Sequence, residues 1–232
     1  IILTSITMAQ PPKNQNIETA QNVGEAVSKV ENFFKENGKK ISIISAAVAV
    51  IAVVIIAVSQ LYIKPLKAEA AGQTFVAEQY FRAADYEKAL NGDGNSLGFA
   101  QIVDEYGNKA GQAVYLYAGV CELQLGNADN AISYLKKYNG KDVILAARAE
   151  CCLGDAYAMK EDYKGALSQY EKAASVADNA YAAGYLLKAG LMAEELGNNA
   201  KALSLYEQIK KEYPQSLEGF EIEKYIQRIQ VK

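Results

Sequence analysis

Hydrophobic positions along the chain fall into three regimes. From Ile17 to Asn37 they form a stripe: Ala20, Val23, Val27, Val30 and Phe34 recur at alternating spacings of three and four, which places them on one face of a helix. Glu25–Lys29 and Glu31–Lys35 flank the stripe as pairs one turn apart, and Gly38 is placed to end the helix. From Ile41 to Ile63 the pattern vanishes into "ISIISAAVAVIAVVIIAVSQLYI", which carries no charge. Beyond Ala68 the helical period returns and the sequence begins to repeat itself. The whole reads as all-α.

The uncharged stretch, as a helix, is about 35 Å long, enough to cross a hydrocarbon core of about 30 Å with some tilt. Its Val and Ile content would suit a strand in water. In lipid the backbone must satisfy its own hydrogen bonds, so the helix wins. Lys39 and Lys40 precede it, Tyr62 sits at its far end, and Lys64-Pro65 is expected to stop it. A cleaved signal peptide would be shorter and nearer the N-terminus, so the segment is expected to be an uncleaved signal anchor. Lys29, Lys35, Lys39 and Lys40 lie before it, against Lys64 and Lys67 just after. That excess puts residues 1–40 in the cytoplasm and the C-terminal domain outside. Ser45 and Ala49, one turn apart, form a small-residue face for another membrane helix. "MAQPPKNQN" reads as a start at Met8, with "IILTSIT" before it an extension.

Three later stretches share one order of residues: "YAGVCELQLGNADNAISYL", "LGDAYAMKEDYKGALSQY" and "AGLMAEELGNNAKALSLY". Their anchor alanines, Ala131, Ala166 and Ala202, are 35 and 36 residues apart. Gly119, Gly154 and Gly190 precede them by twelve, and Leu135, Tyr170 and Tyr206 follow by four. Small residues at paired positions let two antiparallel helices approach closely, and the larger residue fills the groove beside them. Each hairpin exposes a face that only the next can bury, which makes a solenoid. An earlier unit has Ala77 and Ala89, but Ala89 lies 42 residues before Ala131. The surplus falls on "NGDGNSLG". Beyond it "FAQIVDEYGNKA" matches "YEQIKKEYPQSL", with Ile102 over Ile209 and Tyr106 over Tyr213. The second helix of this unit is therefore expected to break at a Gly-rich turn and resume near Leu97, capped by Asn95 or Ser96. "LEGFEIEKYIQRI", Leu217 to Ile229, reads as a closing helix.

Composition narrows the chemistry. Residues 1–40 hold five Lys and four Glu, and the part after Ile63 holds 19 basic against 23 acidic residues. A mildly acidic domain with no basic cluster argues against nucleic acid. Gly94-Asn95-Ser96-Leu97-Gly98 fits a hydrolase nucleophile elbow, yet the chain contains no histidine to act as base and no strand pattern precedes it. Asn91, Asp93 and Asn95 half-imitate a calcium loop, but Ser96 stands where Gly is needed and Ile102 where a bidentate Glu belongs. No enzyme, metal or cofactor is expected. Asn91, Asp93, Asn95 and Ser96 remain a possible recognition loop, because inserts on rigid scaffolds often carry function. Cys121, Cys151 and Cys152 read as small hydrophobes, with a disulfide from Cys121 open to a periplasmic domain. Tyr80, Tyr157, Tyr170 and Tyr206 occupy packing positions.

With these residues in place the chain resembles the tetratricopeptide repeat family over roughly Ala68 to the end. The family's early Trp is replaced by Tyr115, Glu150 and Leu186, and its late Pro survives as Pro214. Taken with the uncharged span, the expectation is a single N-terminal transmembrane helix followed by a short tetratricopeptide-like α-solenoid of helical hairpins: residues 1–40 a cytosolic tail, 41–63 the anchor in the lipid bilayer, and 68–232 the repeat domain that the resemblance implies. It further implies a concave groove including Leu116, Val120, Leu123, Cys151, Asp155, Met159, Leu187 and Leu191. An apolar, Met-containing groove suits unfolded segments. If the short array curls shut, the same residues are instead covered by neighbouring helices. The Lys and Asn pattern of a carboxylate clamp is not matched.

Tail, anchor and outward-facing repeats together resemble the YfgM-like ancillary subunits of the bacterial Sec translocon. "AVYLYAGVCELQLGNADNAISYL" and the insert-bearing first unit look like members from Bacteroidetes-type bacteria. That resemblance implies a SecYEG-type channel, a PpiD-like periplasmic chaperone and unfolded exported polypeptides as partners. A scaffold for another envelope assembly, without contact to translocating chains, is the alternative.

Overall fold

The computed structural model describes residues 15–176 and 181–231, with side chains from Val27 onward. The proposed start at Met8, the side chains of Ala20 and Val23, and the Glu25–Lys29 pair lie outside what it describes. Two compact units divide the chain, Ile1–Leu61 and Tyr62–Lys232.

The first unit is dominated by one helix, α1 (Gln15–Val58). Gly38 does not end it. A lone glycine in a helix costs only about 1 kcal/mol, and good helix formers flank this one on both sides. Glu31 and Lys35 form the expected pair at 2.7 Å, and Val27, Val30 and Phe34 are exposed. Further along, ten large side chains from Ile43 to Val58 are also exposed: Ile43, Ile44, Val48, Val50, Ile51, Val53, Val54, Ile55, Ile56 and Val58. Covering each is worth about 1.5–3 kcal/mol, together roughly 15–30 kcal/mol. A whole domain is stable by only about 5–15 kcal/mol, so this surface does not belong in water. The helix is long and apolar enough to cross a membrane.

Ser59–Ile63 form a π-helical turn, and α2 (Lys64–Arg82) follows. Pro65 therefore does not stop the helical path. It lies two residues past the π-helical turn, the kind of local widening that accommodates a residue with no N–H to donate. The second unit continues with α3 (Tyr86–Asn91), α4 (Phe99–Tyr106), a 3₁₀ turn (Gly107–Ala110), α5 (Ala113–Gln124), α6 (Ala128–Leu135), α7 (Val143–Met159), α8 (Tyr163–Val176), α9 (Ala182–Glu195), α10 (Asn199–Glu212) and α11 (Leu217–Gln230). Each helix from α5 packs on the next, and α5 with α7 and α9 with α11 make the contacts between first helices that stack hairpins into a solenoid. The closing helix buries Ile222, Ile226 and Ile229.

The repeat signature carries the close approaches. Ala131, Ala166 and Ala202 are fully buried. A methyl group added at Gly119 would lie 2.5 Å from Leu135 Cγ; at Gly154, 2.5 Å from Tyr170 Cε1; at Gly190, 2.2 Å from Tyr206 Cε1. The turns repeat as well. Ala84, Gly126, Glu161 and Gly197 all take positive φ, each followed by an Asx residue at the start of the next helix. Asp85, Asp162 and Asn198 accept the N–H three residues on, satisfying a donor the helix leaves free. Asn127 instead donates its side-chain N–H to the buried Glu122 at 2.8 Å.

The Gly-rich insert breaks the first unit's second helix into α3 and α4, as the spacing implies. The cap, however, is Gly98, not Asn95 or Ser96. Gln101 reaches back to accept the Gly98 N–H at 3.1 Å, while Asp93 Oδ1 accepts the N–H groups of Asn95 at 2.9 Å and Ser96 at 2.7 Å. Ser96 is thus held inside an Asx turn, one strand of the loop short of the helix. The neck of the loop is tight enough to need glycine on both sides. A Cβ at Gly92, whose φ is +80°, would lie 2.3 Å from Ser96 O, and one at Gly98 would lie 2.3 Å from Leu90 O. Below the neck, Phe81, Tyr86, Phe99 and Tyr117 form an aromatic cluster with ring centroids 5.1 to 6.1 Å apart.

Candidate protein-binding groove and insert loop

The eight groove residues do not share one environment. Leu116 and Leu123 are buried in a cluster with Ala131, Leu135, Ala149, Cys152, Leu153 and Ala156, and Val120 packs against it. These three seal α5 onto α6 and α7. Asp155 ties three helices together: it accepts the Tyr170 hydroxyl from α8 at 2.8 Å and the Lys188 ammonium from α9 at 2.5 Å. Burial and the nearby Asp155 carboxylate raise the Tyr170 pKa, so the hydroxyl stays a donor. Met159 is exposed at the end of α7. Leu191 is half-buried. Cys151 and Leu187 come together, on the wall of a cavity.

That cavity, about 560 Å³, lies between the first halves of α7 and α9 and reaches the start of α11. Ile144, Leu145, Tyr181, Tyr185 and Leu187 give it apolar walls, and Arg148, Lys188 and Glu218 bring charge to it. Ile144 and Tyr181 are 48% and 59% exposed, so its rim presents large apolar groups to solvent. Its lining comes from residues 74 positions apart in sequence, Ile144 to Glu218, and most of it escapes a reading of the repeats. The signal available was Val143-Ile144-Leu145, an apolar run at a helix start where a solvated turn is usual.

Cysteine chemistry is quiet. All three thiols are free and buried. Burial pushes Cys151 up to about 11, and Cys121 and Cys152 up to about 12. A thiol held protonated this far above neutrality packs and does not attack. The three also belong to separate clusters, Cys121 with α2–α5 residues, Cys151 with α7–α11 residues and Cys152 with α5–α7 residues.

Asn91, Asn95 and Ser96 line a small hollow of about 150 Å³ with Gly94, Leu97 and Gln101. Asp93 faces the other way, its Oδ2 accepting the Tyr80 hydroxyl at 2.7 Å. That bond first, and the Ser96 and Asn95 N–H groups next, hold its pKa below the ordinary carboxylate value. A depressed pKa means the carboxylate stabilises the loop above about pH 4, and the contribution is lost as pH falls through the lowered value. Hydrogen exchange, referenced to intrinsic rates, is expected to show Asn95 and Ser96 amides losing protection as pH falls below about 4. Helix α7 should keep its protection over that range, and Asp93→Ala should remove that of the loop at neutral pH.

Comparison with known proteins agrees with this architecture. The tetratricopeptide repeat family model matches residues 113–141 and 185–216. These are the α5–α6 and α9–α10 hairpins. The α7–α8 hairpin between them has the same Gly154, Ala166 and Tyr170 contacts. No curated protein matches the chain. Among solved structures, the crystal structure of the MamA protein is similar with a TM-score of 0.53 at 20% identity, over 70% of this chain and 86% of that one. At that identity the likeness concerns the fold alone. The described residues are all-α, with one long apolar N-terminal helix followed by helical hairpins of which α5–α6 and α9–α10 match the tetratricopeptide repeat.

Proposed function

We propose that this is a non-enzymatic, membrane-anchored binding protein of the export machinery, an ancillary subunit of a Sec-type translocon. Residues 41–63 cross the bacterial inner membrane once, with residues 1–40 in the cytoplasm and residues 68–232 in the periplasm. The repeats meet unfolded exported polypeptides beside a SecYEG-type channel, together with a PpiD-like chaperone. The observation that carries this reading is the uncovered apolar helix, which has to be buried by lipid or by another membrane protein, on a chain whose repeats present an apolar cavity. The sequence resemblance supplies the choice of partner. Anchoring the cavity near the channel mouth raises its effective concentration toward emerging chains, so weak contacts suffice.

A photo-crosslinker at Ser45 or Ala49 in the full chain, in its native membrane, tests the reading. Adducts to the channel subunits are the expected result. Adducts to a different envelope complex, with none to the channel, overturn it and favour a scaffold of that complex.

A further inference from the structure

The apolar stripe of α1 outruns the membrane. Every seventh residue from Val27 to Ile55 is apolar, and so is the residue three after each, with Asn37 the one exception. An alternation of three and four is the seam of a coiled coil. Inside the span any lipid-facing helix is apolar, so the cytoplasmic turns decide the matter. There Val27, Val30, Phe33 and Phe34 are each more than half exposed. The helix runs unbroken through Gly38, Lys39 and Lys40. Counted back from Ile41 at about 1.5 Å per residue, Phe34 stands about 10 Å and Val27 about 21 Å beyond the hydrocarbon edge. The headgroup layer is only about 5–8 Å deep on each side. The bilayer that holds the span therefore does not cover these side chains, and another helix can.

We propose that α1 pairs with α1 of a second copy of this chain, in parallel and in register, along the seam from Val27 to Val58. Two anchors of one sequence cross the membrane in the same direction, so their stripes meet at equal depth. In that register Phe33 of one copy lies beside Gly38 of the other, a bulky residue against one with no side chain, and symmetry makes the contact twice. The next flanking pair sets Lys40 against Ser45, so like charges do not oppose each other there. Asn37 donates one side-chain N–H to Phe33 O at 3.1 Å. Its second N–H and its oxygen match the Asn37 of a copy in register and of no copy shifted along the seam. Ala47 and Ala52 flank the seam inside the span, where small residues let backbones close on each other in lipid. The four cytoplasmic side chains of two copies bury at most roughly 500–800 Å², short of the ~1,200 Å² at which stable interfaces begin. Confinement of both copies to one membrane offsets the shortfall by raising their effective concentration. The pairing rests on the anchor and not on the identity of any channel, since Ala49 lies on the outer face and stays open to one.

The test places single cysteines in the full chain and oxidises isolated native membranes with copper phenanthroline. Val30→Cys and Phe34→Cys lie on the seam, and Asn32→Cys and Lys39→Cys lie opposite it. The disulfide-linked band at twice the chain mass is expected to be at least about fivefold stronger from the seam pair, because the bond needs Cα atoms within about 7 Å. The parent, whose three thiols are buried, gives the background. Adding Val27→Glu to Phe34→Cys should weaken the band at least about fivefold by setting like charges into the seam, whereas adding Asn32→Glu should leave it. Equal bands from all four positions would mean collision without a seam, and that overturns the proposal. So does a seam adduct of any other mass, which would give the stripe to a different helical protein. Absence of seam bands, with Phe34→Cys shielded from a membrane-impermeant maleimide, also overturns it and lays the stripe on the bilayer surface. None of these failures touches channel adducts from Ala49, and loss of those adducts leaves the seam bands in place.

Discussion

Gly190→Ala is expected to destabilise the repeat unit by about 2 kcal/mol, although alanine is the better helix former. Replacing a helical glycine by alanine gains about 1 kcal/mol where there is room. Here there is none. The new methyl would sit 2.2 Å from Tyr206 Cε1. Tyr206 is fully buried, donates its hydroxyl to Glu194 at 2.7 Å and packs on the Tyr225 ring with centroids 5.4 Å apart. Arg228 pairs with the same Glu194 oxygen. The ring has no free rotamer to retreat to, so the overpacking cost falls near the top of its usual range, about 3 kcal/mol, and the net is a loss. For a unit of this size that lowers Tm by about 4–8 °C. The chain has no Trp and 16 Tyr, so near-ultraviolet circular dichroism of the tyrosines reports the transition. Gly154→Ala should follow closely, and Gly119→Ala should cost less, because Leu135 can change rotamer where a buried ring cannot. Gly72→Ala is the control. A methyl at Gly72 would meet nothing within 4 Å, so that variant should gain about 0.5–1 kcal/mol. A neutral Gly190→Ala would mean that α9 and α10 are not in close contact.

These glycines were legible from spacing alone because close backbone approach leaves a mark in composition: only a small residue fits, and it recurs at the period of the repeat. The insert was legible for the same reason, as a surplus in that period. Its cap was not. Gly98 has no side chain to advertise a helix start, and the bond that marks it comes from Gln101 inside the helix, which accepts the Gly98 N–H, while the conspicuous Ser96 is drawn into the turn around Asp93. Gly38 and Pro65 misled in the opposite sense. Both are strong signals of a boundary, yet a single glycine is cheap in a helix and a proline is accommodated beside a π-helical turn. The burial of the eight groove residues was not legible. Periodicity tells which helix faces inward, but not how far the array curls, so it could not separate Leu116 and Leu123, which are sealed by α6 and α7, from Cys151 and Leu187, which reach a cavity.

Replacing Val50 and Val54 together by arginine is expected to release the protein from the membrane. The 11 Ile and Val residues between Ile41 and Val58 favour insertion by roughly 0.3–0.6 kcal/mol each, a total near 3–7 kcal/mol. One arginine near the middle of a span costs about 2.5–3.5 kcal/mol on the same scale, and two cost about 5–7 kcal/mol. The balance is therefore erased. A single substitution would leave a span that still inserts, which is why the pair is needed. Val50 and Val54 are one turn apart and both exposed, so no packing within the protein is lost and the repeat unit should keep its Tm. Carbonate extraction of membranes is the measurement. The parent and a Val50→Leu, Val54→Leu control should pellet, and the double arginine variant should appear in the supernatant. Were the parent itself extracted by carbonate, the ten exposed aliphatic side chains of α1 would have to be covered by a protein partner, not lipid, and the anchor would be a docking helix.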